Sequence, residues 1–201
     1  MKKLWKKKWP WIVGICAVLA VLVIILVWDQ TQDAYAPTLT VGTPPKLSAS
    51  ATEEFVVDVT INQLGEALYP AMSMSIAFDP SKLEFLGVEE GNVFVFSSEN
   101  SVGRQLPQWN CNVQNCNATG KINIMYLDMT AGRNAFSQLL LEEDGNVVLR
   151  LRFRLRGSVR AGDVMDLIVE DAVFAASDEK NSLAMTLDTL KVRNGKIVIG
   201  E

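Results

Sequence analysis

Three groups of residues carry chemistry that could matter: two nearby cysteines, a run of arginines and several acidic clusters. Cys111 and Cys116 bound the stretch Cys-Asn-Val-Gln-Asn-Cys. Such a pair is a short-loop disulfide candidate or two thiols on a loop tip. Half a metal site is a poor alternative, because only Cys16 remains and the chain has no histidine. The lack of histidine also removes the commonest general base and the commonest zinc ligand. No Gly-x-Ser-x-Gly, no phosphate-cradling glycine loop and no Asp-x-Asp-x-Asp-Gly calcium loop occurs. The acidic clusters (Glu89-Glu90, Glu142-Glu143-Asp144, Asp163 with Asp166, Asp178-Glu179) read as solvated turns. The chain is therefore expected to bind rather than catalyse, with no cofactor and no metal.

Arg150, Arg152, Arg154 and Arg156 alternate with Leu151, Phe153 and Leu155, so they share one face of a strand. This secondary basic ladder has two readings. It recognises an anionic polymer or acidic partner, or it pairs with acids on neighbouring strands. Pairing is preferred, since exposed ion pairs are common and individually weak.

The elements that must position these residues divide the chain in two. Lys2, Lys3, Lys6, Lys7 and Lys8 precede an uncharged apolar run, Trp11 to Trp28. As a helix that run spans ~27 Å, close to a hydrocarbon core. Trp5, Trp9, Trp11 and Trp28 suit the two interfaces, and the lysines place the N-terminus in the cytoplasm. The expected layout is a basic cytoplasmic segment (1–10), a transmembrane signal-anchor (11–28), a tether (29–37) and an extracellular domain (38–201). Cleavage after Ala36, in Ala34-Tyr35-Ala36, is the competing reading, disfavoured by the long apolar core and by Pro37. Of the 19 basic residues, 14 follow the run against 23 acidic ones, leaving the remainder at −9. Nucleic acid is not expected as a partner.

The body alternates with period two between turn signals. Phe55, Val57, Val59 and Ile61 share one face of a strand, and Met72, Met74, Ile76 and Phe78 share another. Lys121 to Asp128 is a nearly continuous apolar run, expected to be buried on much of both faces. Asp163 to Ala176 is a strand with a break near Glu170-Asp171, and Ala131 to Glu143 is a helical interruption or a loop with a helical turn. Asn194-Gly195 between two short strands predicts a hairpin. Roughly nine strands at this spacing imply an all-β, two-sheet sandwich. Asn117-Ala118-Thr119 is an N-glycosylation pattern.

In this order the segments resemble the cohesin domain over about Leu39 to Ile199. The resemblance rests on Leu39-Thr40-Val41-Gly42, Val56-Val57-Asp58-Val59, and Ile76-Ala77-Phe78-Asp79-Pro80-Ser81-Lys82-Leu83-Glu84-Phe85 followed by Gly87-Val88-Glu89-Glu90-Gly91. Gly120-Lys121-Ile122, the Gly145 strand, Asp171-Ala172-Val173-Phe174 and Asn194-Gly195-Lys196-Ile197-Val198-Ile199 complete it. It implies a jelly-roll of about nine strands that docks a protein partner, typically the dockerin module of a polysaccharide-degrading enzyme. A related carbohydrate-binding sandwich that takes polysaccharide directly is the alternative, and a structural envelope protein a third reading. The family's docking sheet would fall on Ala71, Ser73 and Ser75, with Trp109 and Tyr126 as flanking aromatic candidates, a cover over the core being the other reading of Trp109. Family contact positions carrying Asn and Asp fall on Ala71 and Ser73. The later acidic contact falls near Met129, and Gly132 matches the family's glycine. These departures imply a dockerin type or partner other than the usual one. The same strand order would set Glu54, Asp58 and Glu84 beside the arginine ladder.

Overall fold

The computed structural model describes residues 18–21, 23–24, 36–96, 103–130, 134–178 and 183–200 of the 201. Most of the expected anchor, with its lysines and tryptophans, lies outside these. Residues 18–21 and 23–24 are helical, and Val18, Leu19, Val21, Val23 and Ile24 are exposed. No helix among the described residues is long and apolar enough to cross a membrane.

Pro37–Glu201 forms one compact unit. Its elements are β1 (Thr38–Val41), β2 (Phe55–Ile61), β3 (Ala71–Ala77), β4 (Leu83–Glu90), β5 (Val95–Phe96), β6 (Arg104–Gln105) and β7 (Asn110–Cys111). Helix α1 (Val113–Thr119), β8 (Lys121–Leu127), a 3-10 turn (Gln138–Leu140), β9 (Val147–Leu155), β10 (Val164–Ala175), β11 (Lys191–Arg193) and β12 (Gly195–Val198) follow. One five-stranded sheet runs β11-β1-β2-β9-β4 and the other β12-β10-β3-β8-β7, with β5 and β6 as a separate ribbon. All neighbours within the two sheets pair antiparallel except β1 and β11, which are parallel.

Alternation drives the sandwich together. Val57, Val59, Leu149, Leu151 and Phe153 point inward from the first sheet, and Met72, Met74, Ile76, Ile122, Ile124 and Phe174 from the second; all are buried. Each such side chain contributes ~1.5–3 kcal/mol of apolar transfer. Phe78, Phe85 and Phe153 meet at ring separations of 5.6 to 6.4 Å.

Three expectations need correction. Asn194-Gly195 is not a hairpin, because β11 belongs to the first sheet and β12 to the second. The chain changes sheets there. The Asn194 side chain accepts a hydrogen bond from Val169 N–H at 3.0 Å. Gly195 is required by close approach, since a Cβ would lie 2.4 Å from the Gly42 carbonyl oxygen. Second, Lys121–Leu127 is not buried on both faces. It alternates, with Ile122, Ile124 and Tyr126 inside and Lys121, Asn123, Met125 and Leu127 outside. Third, the cysteine segment is not a loop tip, because a helix falls on Val113–Thr119; the described part of 131–143 is a loop with a 3-10 turn, one of the two forms expected for it. Asn112 caps α1 by accepting from Asn115 N–H, and Gly120 ends it at φ 71°. The Asn117 amide inside α1 holds both the N–H and the C=O of Phe85, at 2.9 and 2.7 Å. The glycosylation pattern thus serves an internal tie between α1 and β4. The break near Glu170-Asp171 is a register shift in β10 between Val169 and Asp171.

Candidate functional site

Strand register places the outward residues of β8, β3 and β10 in rows. Leu127, Ala71 and Ala175 form one row, Met125, Ser73 and Val173 the next, and Asn123, Ser75 and Asp171 the third. The face therefore passes from apolar to polar along the strands. Beyond the third row Lys121 pairs with Glu170 at 2.7 Å. Met125 and Leu127, beside the small residues of β3, remain 48% and 49% exposed. Ala71, Ser73 and Ser75 give the central strand a low profile, so the larger side chains of β8 stand above it. An open concavity of about 600 Å³ lies over this face. Ser73, Ser75, Asn110, Cys111, Asn123, Met125 and Asp171 are among its lining.

The apolar end continues onto the loop after β8. Asp128 holds that loop, accepting hydrogen bonds from Thr130 N–H at 2.7 Å and Asn134 N–H at 3.2 Å. With the acid turned to its own loop, neighbouring Met129 projects at 84% exposure. Gly132 lies outside the described residues.

The two aromatic candidates belong to the core. Tyr126 is 4% exposed and faces inward, because it alternates with Met125 and Leu127 on β8. Its hydroxyl donates to the Asn134 carbonyl at 3.0 Å. Burial, then the nearby Asp128 charge, pushes its phenol up to about 12. Trp109 is half-buried, edge-on to Tyr126 and stacked on Phe136, both at 6.0 Å. It covers the core rather than offering an exposed ring. The residues that sequence reasoning missed are Met125, Leu127, Asn123, Val173 and Asp171. The signal for Asn123, Met125 and Leu127 was present in the alternation of Lys121–Leu127, hidden by apolar residues occurring on both faces.

The arginine ladder lies on the other sheet. Arg150 pairs with Asp58 at 3.2 Å, and Arg152 reaches Glu54 and, at 3.3 Å, Glu89. Arg154 contacts Glu54 at 3.0 Å and Glu84 at 3.7 Å. Arg156 donates through Nε to the Leu83 carbonyl at 3.1 Å. Glu54 is held below its ordinary carboxylate range, first by its hydrogen bond from Arg152. The ladder is thus engaged with acids and carbonyls of its own domain. Cys111 and Cys116 are brought together as thiols, their sulfurs 3.7 Å apart. No group of three or more potential metal ligands converges among the described residues.

A family model described as the cohesin domain matches residues 40–193. The chain belongs to the cohesin family. Solved structures agree on the fold. The sixth cohesin of scaffoldin B from Acetivibrio cellulolyticus, solved with a Cel5 dockerin, is 17% identical with a TM-score of 0.58, covering 82% of this chain and 99% of that one. A Clostridium thermocellum OlpA cohesin, solved with a dockerin, is 16% identical with a TM-score of 0.56 over 82% and 99%. The Clostridium acetobutylicum cohesin CaCohA2 is 22% identical with a TM-score of 0.52 over 82% and 91%. A search of curated proteins found no match.

Proposed function

We propose that this chain is a membrane-anchored receptor module that docks a dockerin-bearing protein on the outer face of β10, β3 and β8. The observation that carries the reading is the pair of half-exposed apolar side chains, Met125 and Leu127, beside the small residues of β3. Exposed apolar side chains gathered on one sheet face mark a contact surface. Similar cohesin structures were solved with dockerins, which supports the partner class. The chemistry of this face defines what the partner must present. It needs apolar side chains against the rows of Leu127 and Met125, and hydrogen-bond donors or a cation toward Asn123, Ser75 and Asp171. Anchoring and an extracellular location rest on the lysine cluster and the uncharged run from Trp11 to Trp28. A polysaccharide platform is less well supported, because Trp109, Tyr126 and Tyr69 all pack into the core.

The test is binding of the full-length chain, held in mild detergent, to a panel of purified dockerin modules and to insoluble cellulose. Binding of at least one dockerin, abolished by Ser73→Arg, is expected. Retention on cellulose with every dockerin unbound would overturn the reading. Protease digestion of intact cells checks the location: the domain should be cut from outside.

A further inference from the structure

We propose that Cys111 and Cys116 form a disulfide that staples the edge strand β7 to helix α1 at the rim of the concavity. The backbone sets up the contact. Cys111 ends β7, Asn112 caps the helix, and the Cys116 N–H donates to the Asn112 carbonyl at 3.0 Å. One helical turn therefore folds residue 116 back beneath residue 111, and the sulfurs meet at 3.7 Å. Asn112 also fixes the turn through its side chain, which accepts from Asn115 N–H at 3.0 Å. Cys116 is buried, and Cys111 packs against the core while keeping part of its surface open. One thiol can be reached and the other waits behind it.

The staple would join two elements that are weak alone. Strand β7 has two residues, paired only with Met125 and Ile124 of β8. Helix α1 has seven residues, too short to persist without tertiary support. Cys111 lines the concavity and Cys116 packs in the core, so a bond between them would tie the rim to the interior.

The step is a thiol–disulfide exchange with a small-molecule disulfide as oxidant. The Cys111 thiolate attacks the external disulfide, releases one small thiol and forms a mixed disulfide. The Cys116 thiolate then attacks the Cys111 sulfur and releases the second small thiol. Two protein thiols are oxidised by two electrons, and one disulfide is reduced to two thiols. Burial, then the hydrogen bond with Cys116, pushes the Cys111 thiol up to about 12, so the first attack accelerates with pH.

The proposal stands apart from the docking reading, because its readout is thiol chemistry. The full-length chain in mild detergent is incubated with glutathione disulfide, quenched with acid, digested with trypsin and alkylated. Gln105 to Lys121 is one tryptic peptide holding both cysteines. The expected peptide is two hydrogens lighter and refuses alkylation until reduced. Its rate of formation should rise ~10-fold per pH unit below the Cys111 titration. Cys111→Ser and Cys116→Ser should each abolish it. The oxidised chain should melt ~4–8 °C above the reduced one, as a short closed loop implies. Two alkylatable thiols after prolonged oxidation, a persistent glutathione adduct on Cys111, or a link to Cys16 would overturn the pairing. An unchanged melting point would overturn the staple.

Discussion

Truncating Met125 and Leu127 together to Ala tests the docking face where its energy should lie. Both side chains are about half exposed, so about half of each remains for a partner to cover. Full burial of such a side chain is worth ~1.5–3 kcal/mol, so each residue offers ~0.8–1.5 kcal/mol on docking. The pair should therefore cost ~1.5–3 kcal/mol, which weakens the dissociation constant by ~10- to 150-fold. Folding should be little affected, because both residues point outward and their inward neighbours Ile124 and Tyr126 are retained. Titration calorimetry with a dockerin bound by the wild type provides the measurement, and a thermal melt provides the control. Arg154→Ala, on the opposite sheet, should leave affinity unchanged. A double variant that melts normally and binds within twofold of wild type would refute the reasoning.

Glu54→Gln should lower the melting point by no more than a few degrees, since the pairs with Arg152 and Arg154 are exposed. The carboxyl is depressed, so the wild-type advantage should be present above its ordinary value of 4.5 and fade as pH falls through the lowered one; melts from pH 3 to 7 check this. Tyr126→Phe should cost ~0.5–1.5 kcal/mol in urea unfolding by removing the buried bond to Asn134. It should also speed hydrogen exchange in the loop carrying Met129. Gly195→Ala should destabilise by ~1–3 kcal/mol, because the new methyl would meet the Gly42 carbonyl oxygen at 2.4 Å and Val41 Cγ1 at 2.7 Å.

The central strands were legible because one face of each is buried. Met72, Met74 and Ile76 alternate with Ser73 and Ser75, and Leu149, Leu151 and Phe153 alternate with arginines; both patterns survive as inward and outward faces. The partners of the arginines were legible too, since Asp58 and Glu84 sit opposite Arg150 and Arg154 in register. What failed depended on long-range packing. Asn194-Gly195 has the composition of a tight turn, but the close approach of Gly42 and the bond to Val169 are tertiary facts. Tyr126 and Trp109 were candidates by residue type and by segments that flank the docking sheet, and neither says which side of a sheet a ring occupies. Lys121–Leu127 misled for the converse reason: a solvent-facing row that keeps methionine and leucine looks like a core strand. That exception to the usual patterning is also where the candidate site lies.

The two outer faces of the sandwich differ in how far their bonding capacity is already used. On the β2-β9-β4 face, acids and arginines satisfy one another within the domain, which leaves little for an outside molecule to gain. On the β10-β3-β8 face, the exposed apolar rows have no such complement among the described residues. On the docking reading, one open face lets each copy of the chain hold one partner there, so capture would scale with the number of copies rather than with crosslinking between them.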